Sequence, residues 1–204
     1  MQPSDFQIPP PVDWQRFETL CWRLWRELLR DPNTQMNGRR GQAQHGVDVF
    51  GQRDGASWVG VQCKGKDNFS ASKVTETELE AETRKALTFQ PALAEFILAT
   101  TAPRDSVIQS RARGLSLQST GDGRFSIAVF SWDDIRNELD SCPETAQWYC
   151  PWLTPPPVME RSVPDFLISH APADAEVADW LASILEKHDL SVDVSLWPPG
   201  ASEN

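Results

Sequence analysis

A cluster of prolines near residue 150 constrains the possible folds of this chain more than any other feature of the sequence. Four prolines lie within residues 151–157, PWLTPPP. Proline fixes its own backbone and lacks an N–H donor, so neither a helix nor a central strand continues through this stretch. The sequence therefore predicts two folded parts, residues 1–150 and 165–204, joined by a stiff Pro-rich linker over 151–164.

The charge of the chain is divided unevenly between these parts. The net charge is −10, and residues 154–204 account for −7 of it, with nine acidic and two basic side chains. Residues 1–153 are therefore close to neutral. Because nucleic-acid binding depends on local charge, the acidic total does not exclude a DNA-binding face in the first part.

The composition bounds the class of protein in two further ways. No run approaches the ~20 apolar residues of a membrane span, and the first residues lack the pattern of a signal peptide, so we expect a cytoplasmic protein without membrane contact. The four cysteines show neither a CxxC pair nor zinc-ligand spacing, so we expect reduced thiols that serve mainly in packing.

Hydrophobic periodicity predicts a layered α/β fold for the first part. Predicted helices cover residues 13–30, 76–90, 104–118 and 132–140. Predicted strands cover residues 47–50, 57–64, 95–101 and 125–130, with a polar, Gly-rich loop over 33–46. Asp13 is expected to cap the first helix, and Asp54-Gly55 to turn the first hairpin. The order α-β-β-α-β-α-β-α is typical of a mixed sheet flanked by helices.

Three polar residues are expected to meet on this hairpin. Asp48 lies on its first strand, and Gln62 and Lys64 lie two apart on the second, so they share a face while Val61 and Cys63 point into the core. Mg²⁺ prefers carboxylate and carbonyl oxygens, and a nearby lysine can position an attacking water. The structural alternatives are a hydrogen-bonding role for Asp48 and a solvated strand end for Lys64.

The stretch GRRGQAQHGVDVFG…WVGVQCKGKD resembles the Mrr-like PD-(D/E)XK restriction endonucleases, especially the nuclease domains of bacterial antiphage effectors. The resemblance extends from the helix around Phe17 through ATTAPRD (99–105) to FSIAVFSWDDI (125–135). It implies a restriction-endonuclease-like fold and Mg²⁺-dependent hydrolysis of double-stranded DNA, with Mn²⁺ able to substitute.

The resemblance also implies roles for particular residues. Asp48, Gln62 and Lys64 correspond to the family's motif in its QxK form, and Glu18 to its helical glutamate; all four would be catalytic. Asp48, Gln62, Glu18 and the backbone carbonyl of Cys63 would bind the metal. Because glutamine carries no charge, the QxK form favours a site built mainly on one ion.

Other polar and aromatic residues have open interpretations. Glu18 is alternatively a surface ion-pair partner of an arginine on its own helix, and His45 is more typical of a residue that shapes a turn than of a general base. Glu78 and Glu82, one helical turn apart, either face the site or, as the favoured interpretation, lie on a solvated helix face. The aromatic residues of the first helix are expected in its core rather than as a base-stacking platform: Trp14, Trp22 and Trp25.

The loop over residues 37–42 has the character of a phosphate contact, since glycines let backbone amides approach a ligand and arginines pair with phosphates. Ordinary surface charge is the alternative for each residue. The predicted DNA-binding residues are Arg39, Arg40, Gln42, Lys66 and Arg104.

The stretch DFLISHAPADAEVADWLASILEKHDLSVDV in the second part is predicted to form a strand (165–169), a helix (173–188) and a strand (190–194). It resembles the first βαβ unit of a TIR domain, a flavodoxin-like fold. The resemblance implies a nucleotide or NAD-related ligand at a complete domain, and self-association into a homo-oligomer on activation. The glutamate of NAD-cleaving TIR domains would lie past residue 204. A lone βαβ unit with two strands cannot bury its own faces, so we expect either a longer natural protein or a unit that packs on the nuclease part or on a partner.

Together these features predict a DNA endonuclease that acts in antiphage defence under the control of a TIR-type domain. One alternative is a TIR signalling or NAD-cleaving protein whose first part only binds DNA. Another is a non-enzymatic adaptor.

Overall fold

A computed structural model of the chain describes residues 3–39, 42, 44–67, 72–153 and 164–196. The chain divides into two compact units, Met1–Thr154 and Pro155–Asn204. The division falls within the Pro-rich stretch, and of the linker predicted over 151–164 only residues 151–153 and 164 are among those described.

The first unit is a mixed α/β fold whose mixed sheet is flanked by helices, as the sequence predicts, and the sheet has five strands rather than the four predicted. Its helices are α1 (Trp14–Leu29), α2 (Glu76–Ala86), α3 (Ser106–Gly121), α4 (Trp132–Glu138) and α5 (Pro143–Tyr149). Its strands are β1 (Gln35–Met36), β2 (Val49–Arg53), β3 (Ser57–Lys64), β4 (Glu95–Thr100) and β5 (Ser126–Phe130). They follow the order β1-β2-β3-β4-β5, antiparallel as far as β3 and parallel from β3 to β5.

Several boundaries differ from the sequence-based expectation. The first predicted strand, 47–50, is displaced to Val49–Arg53, and α2 ends at Ala86 rather than at residue 90. Strand β1 lies within the predicted polar loop, where its two exposed residues carry no hydrophobic pattern. Helix α5 was not predicted, although it begins at a proline in its first turn, a common start signal.

The alternation of side chains along the strands separates two hydrophobic cores. One core joins the buried residues of α1, α4 and α5 to one face of the sheet, and Val59 and Val61 of β3 belong to it. The other joins α2 and α3 to the opposite face. Gly60 faces this second core, where an added Cβ would lie 2.7 Å from Leu93 Cδ1. The sheet is thus covered by helices on both faces.

Helix α1 forms as its sequence predicts. The two carboxylate oxygens of Asp13 accept hydrogen bonds from the backbone N–H groups of Gln15 and Arg16, each at 3.2 Å. The apolar stripe of the helix is buried against the sheet at Phe17, Leu20, Cys21, Leu24, Trp25 and Leu29. All four cysteines are free thiols, as expected.

The N-terminal segment of this unit is held by its last helices. The indole Nε1 of Trp132 donates to the carbonyl of Ile8 at 2.8 Å, and the hydroxyl of Tyr149 donates to the carbonyl of Pro9 at 2.7 Å. Helix α1 is tied to α5 by the carboxylate of Glu27, which accepts from the backbone N–H of Thr145 at 2.7 Å. Residues close to opposite ends of the unit therefore complete one core.

The second unit contains strand β6 (Phe166–His170), helix α6 (Ala175–Glu186) and strand β7 (Val192–Leu196). Strands β6 and β7 are parallel, so the predicted βαβ order is confirmed with boundaries shifted by one or two residues. The described part of this unit exposes large apolar side chains: Phe166, Leu167, Val177, Trp180, Leu181 and Leu196. Over the described residues of the whole chain, no helix has the length and apolar character needed to cross a membrane.

Candidate active site

The pairing of β2 with β3 brings Asp48 and Gln62 together. Val49 is opposite Val61 in the antiparallel register, and the backbone N–H of Asp48 donates to the carbonyl of Val61 at 2.8 Å. The Oδ2 of Asp48 accepts from Gln62 Nε2 at 2.5 Å and from the backbone N–H of Cys63 at 2.7 Å. The expectation that Asp48 lies within the first strand is wrong by one residue, since β2 begins at Val49.

Asp48 is a nearly buried carboxylate with competing influences on its charge. Burial raises its pKa, and the nearby Glu82 raises it further. The backbone hydrogen bond from Cys63, the positive charge of Lys64 and the amide of Gln62 act in the opposite direction, and the pKa stays above its ordinary value. These hydrogen bonds agree with a structural role for Asp48 as well as with a functional one.

A second carboxylate shares an open cleft with Asp48. The cleft has a volume of about 320 Å³, and Glu18, Asn37, Arg39 and Asp48 are among its lining residues. Burial raises the pKa of Glu18 to about 7, with further contributions from the negative charges of Asp48 and Asp13. Two acidic groups that repel each other across a cleft favour the binding of a cation between them.

The ion-pair alternative for Glu18 is wrong. The guanidinium groups of Arg16 and Arg23 lie over the ring of Trp148, 5.2 and 4.7 Å from its centroid. Among the residues that the structure describes, neither arginine forms an ion pair with Glu18.

Lys64 projects from the end of β3 towards helix α2. Its Nζ lies 2.7 Å from Oε1 of Glu82, and 30% of the lysine side chain is exposed, against 6% of the glutamate side chain. Although burial raises the pKa of Glu82, hydrogen bonds from Lys64 and Lys85 and their positive charges lower it overall. The favoured prediction of a solvated position for Glu82 is therefore wrong, because this face of α2 packs against the sheet.

Glu78, one turn earlier on α2, is more exposed and has a structural role. It forms a capping box with Thr75 at the start of the helix, and its Oε1 lies 2.6 Å from Lys66 Nζ. Only 12% of the Lys66 side chain is exposed. A phosphate at Lys66 would have to displace this carboxylate.

Cys63 separates the two polar residues of the β3 motif, and its side chain lies on the opposite face. Burial, contact with the thiol of Cys21 and the nearby acidic groups raise the pKa of Cys63 well above its ordinary range. Its carbonyl oxygen is 3.5 Å from Gln62 Nε2. The thiol is therefore a packing group, while the carbonyl lies near the polar face.

The residues predicted to contact DNA differ in their surroundings. Arg39 is exposed and lines the cleft, and Gln42 closes the same loop because its Oε1 accepts from the backbone N–H of Arg39 at 3.0 Å. Arg40 lies outside the described residues. Arg104 forms an ion pair with Asp134, in which Nη2 lies 2.5 Å from Oδ1. Arg39 is thus the predicted contact that is best placed for a ligand in the cleft.

The turn around His45 and the tryptophans of α1 are the remaining features for which the sequence makes a prediction. His45 has a left-handed backbone, φ 54°, and its Nδ1 lies 2.8 Å from Thr88 Oγ1, in agreement with its role in shaping a turn. Trp14, expected in the core, is 44% exposed and lines the cleft. Trp25 is buried as predicted, and Trp22 is partly buried.

The donor atoms at this site suit a hard cation. Asp48 and Glu18 line the cleft with carboxylates, and Gln62 and Cys63 carry carbonyl oxygens, with the amide nitrogen of Gln62 turned towards Asp48. Carboxylate and carbonyl oxygens are the ligands that Mg²⁺ prefers. Within the described ranges, no three acidic, histidine or cysteine side chains are grouped closely enough to hold a metal ion. A cation here would therefore depend on the carboxylate pair together with amide, backbone and water oxygens.

Comparison with known proteins found no matching family model, no matching curated protein and no matching solved structure.

Proposed function

We propose that the first unit is a Mg²⁺-dependent endonuclease of double-stranded DNA, with a restriction-endonuclease-like fold of the Mrr type. The observation that carries this proposal is the carboxylate pair of Asp48 and Glu18 on one cleft. Gln62 is hydrogen-bonded to this Asp48, and the positive charge of Lys64 acts on it. The motif resemblance and the mixed sheet, in which a hairpin precedes two parallel strands, support the same conclusion.

Mg²⁺ bound at this site would polarise the scissile phosphate and acidify a bound water. Asp48 and Glu18 would hold it, together with the carbonyl of Cys63 and the side-chain oxygen of Gln62. The amide nitrogen of Gln62 faces Asp48 in this structure. A rotation of the amide group exchanges its nitrogen and oxygen and turns an acceptor towards the cation.

The side chains around the cleft would act on the substrate in different ways. The ammonium group of Lys64 would donate hydrogen bonds to the attacking water and to the charge that develops on the phosphate. Arg39 would pair with the phosphate backbone, because a guanidinium matches the geometry of phosphate oxygens. Binding of this kind would be largely independent of base sequence.

For the second unit we propose a regulatory role in antiphage defence, as a TIR-type element. Its exposed apolar side chains, including Trp180 and Leu181, support a role in association. Association of several chains would bring nuclease units together on one duplex, so that both strands are cut.

Incubation of the purified chain with supercoiled plasmid tests the proposed activity. We expect nicked and linear products with Mg²⁺ or Mn²⁺, and none with EDTA. Asp48→Ala and Lys64→Ala should abolish cleavage, whereas Asp122→Ala, at the C-terminal end of α3, should cleave like the parent. Circular dichroism checks that each variant is folded. No cleavage by the parent with either metal, or cleavage that EDTA leaves unchanged, would overturn the proposal.

A further inference from the structure

Helix α2 buries an acidic side chain beside the proposed active site. Only 5% of Glu82 is exposed, and its Oε1 lies 2.7 Å from Lys64 Nζ. Lys85 Nζ reaches the two carboxylate oxygens at 3.0 and 3.2 Å. Burial of a carboxylate is costly, and apolar residues of similar size often replace buried ion pairs without loss of stability. Packing alone therefore does not favour glutamate at a position between the buried Leu79 and Ala86.

Lys64 does not require this partner for its own solvation. Since 30% of its side chain is exposed, water can solvate the ammonium group without a carboxylate. Lys85, with 58% of its side chain exposed, already provides a cation for Glu82. The additional bond between Glu82 and Lys64 therefore serves mainly to restrict a long, flexible side chain to one position.

The position of Glu82 relative to Asp48 is fixed by close backbone packing. Gly46, two residues before Asp48, has a left-handed backbone with φ +68°. An added Cβ there would lie 2.8 Å from Lys85 Cβ and 3.1 Å from the carbonyl oxygen of Glu82. The absence of a side chain thus lets α2 pack directly on the segment that carries Asp48. The hydrogen bond between His45 and Thr88 holds the same two segments together.

We propose that Glu82 is a positioning residue, which holds the ammonium group of Lys64 beside Asp48 for the cleavage reaction. The inference rests on the proposed nuclease function. Glu82 acts through Lys64 and contacts neither DNA nor metal. Without its carboxylate, Lys64 turns into solvent, so the chemical step slows, while DNA binding through Arg39 is unaffected.

Three variants distinguish the effect of the position of the Glu82 carboxylate from the effect of its charge, and both from the general effect of a substitution in α2. Glu82→Gln removes the charge at nearly constant size, and Glu82→Asp keeps the charge but shortens its reach. Glu80→Gln is the control, because Glu80 lies on the same helix and accepts from Arg111 Nη2 at 2.5 Å. We expect Glu82→Gln to lower kcat for plasmid cleavage roughly 10- to 100-fold with KM changed less than about twofold. Glu82→Asp should give an intermediate loss of kcat, and Glu80→Gln should match the parent.

Chemical labelling provides a second readout that needs neither DNA nor metal. Acetylation of lysines by acetic anhydride, followed by mass spectrometry of the peptides, should modify Lys64 faster in Glu82→Gln than in the parent. Lys73, with 61% of its side chain exposed, is the internal reference and should be acetylated at the same rate in both.

Plasmid cleavage and the acetylation of Lys64 together show which part of the proposal fails if the expected results are not obtained. Equal acetylation of Lys64 in parent and Glu82→Gln would overturn the contact itself. Faster acetylation with an unchanged kcat would overturn the positioning role. A parent that cleaves no DNA would overturn the proposed function and with it the catalytic purpose of the pair, while the acetylation rates would still report whether the pair exists.

Discussion

The carboxylate of Glu18 should destabilise the chain, so its replacement by a neutral amide of the same shape should stabilise it. Burial and the negative charge of Asp48 both disfavour ionised Glu18 in the folded state, and the unfolded chain is free of both effects. Glu18→Gln removes the charge that is disfavoured. We therefore expect a variant that is more stable than the parent and, under the proposed function, less active.

The size of the gain follows from the pKa. A rise from the ordinary 4.5 to about 7 corresponds to about 3 kcal/mol at ~1.4 kcal/mol per pKa unit. Glu18 is only partly buried, so solvent screening reduces this figure, and we expect a gain of about 1–2 kcal/mol at pH 8. As the pH falls through 7, folded Glu18 takes up a proton before the unfolded chain does, and the destabilisation declines. The difference between variant and parent should therefore shrink towards pH 5 and vanish below 4.5.

Urea denaturation at pH 8 and pH 5, followed by tryptophan fluorescence, measures both effects. Seven of the nine tryptophans lie within residues 1–154, so the signal reports mainly on the unit that contains Glu18. Glu144→Gln, at an exposed glutamate of the same unit, is the control and should stay within about 0.5 kcal/mol of the parent. A Glu18→Gln variant that is no more stable than the parent at pH 8, or whose gain is the same at pH 5, would refute the reasoning.

Three further predictions concern the core, the DNA contact and the second unit. Gly60→Val should lower the free energy of unfolding by about 1–3 kcal/mol in urea denaturation, because its side chain would overlap Leu93; an unchanged midpoint would contradict the packing. Arg39→Ala should reduce the slope of log K against log salt by about 1 for duplexes of any sequence, and an unchanged slope would show that Arg39 makes no phosphate contact. Residues 1–154 alone should cleave plasmid more slowly than the whole chain at matched concentration; equal rates would exclude a contribution from the second unit.

The elements that the sequence predicts well are those with a strong local pattern. Helix α1 begins after Asp13 and keeps a regular apolar stripe, so its bounds were predicted within one residue. The opposition of Asp48 and Gln62 follows from a hairpin whose turn, Asp54-Gly55, has two positive φ angles. Such features depend on residues close together in the chain.

The features that the sequence did not predict depend on contacts between distant segments. The residues of strand β1 are both exposed and carry no hydrophobic pattern. The strand is defined by its pairing with β2. The burial of Glu82 depends on the close approach of α2 to Gly46. The hydrophobic periodicity of the helix does not predict this approach. Trp14 fits the helical spacing of core residues, yet it is the first residue of α1 and remains 44% exposed.

The hydrogen bonds that hold the N-terminal segment have a consequence for biosynthesis. Because Ile8 and Pro9 are bound by Trp132 and Tyr149, a nascent chain cannot close its first core until nearly 150 residues have left the ribosome. Helix α1, which carries Glu18, gains its packing against α5 at the same late moment. A chain released before residue 132 by premature termination would therefore keep the residues that line the cleft but lack the hydrogen bonds to Ile8 and Pro9 and the contributions of α4 and α5 to this core.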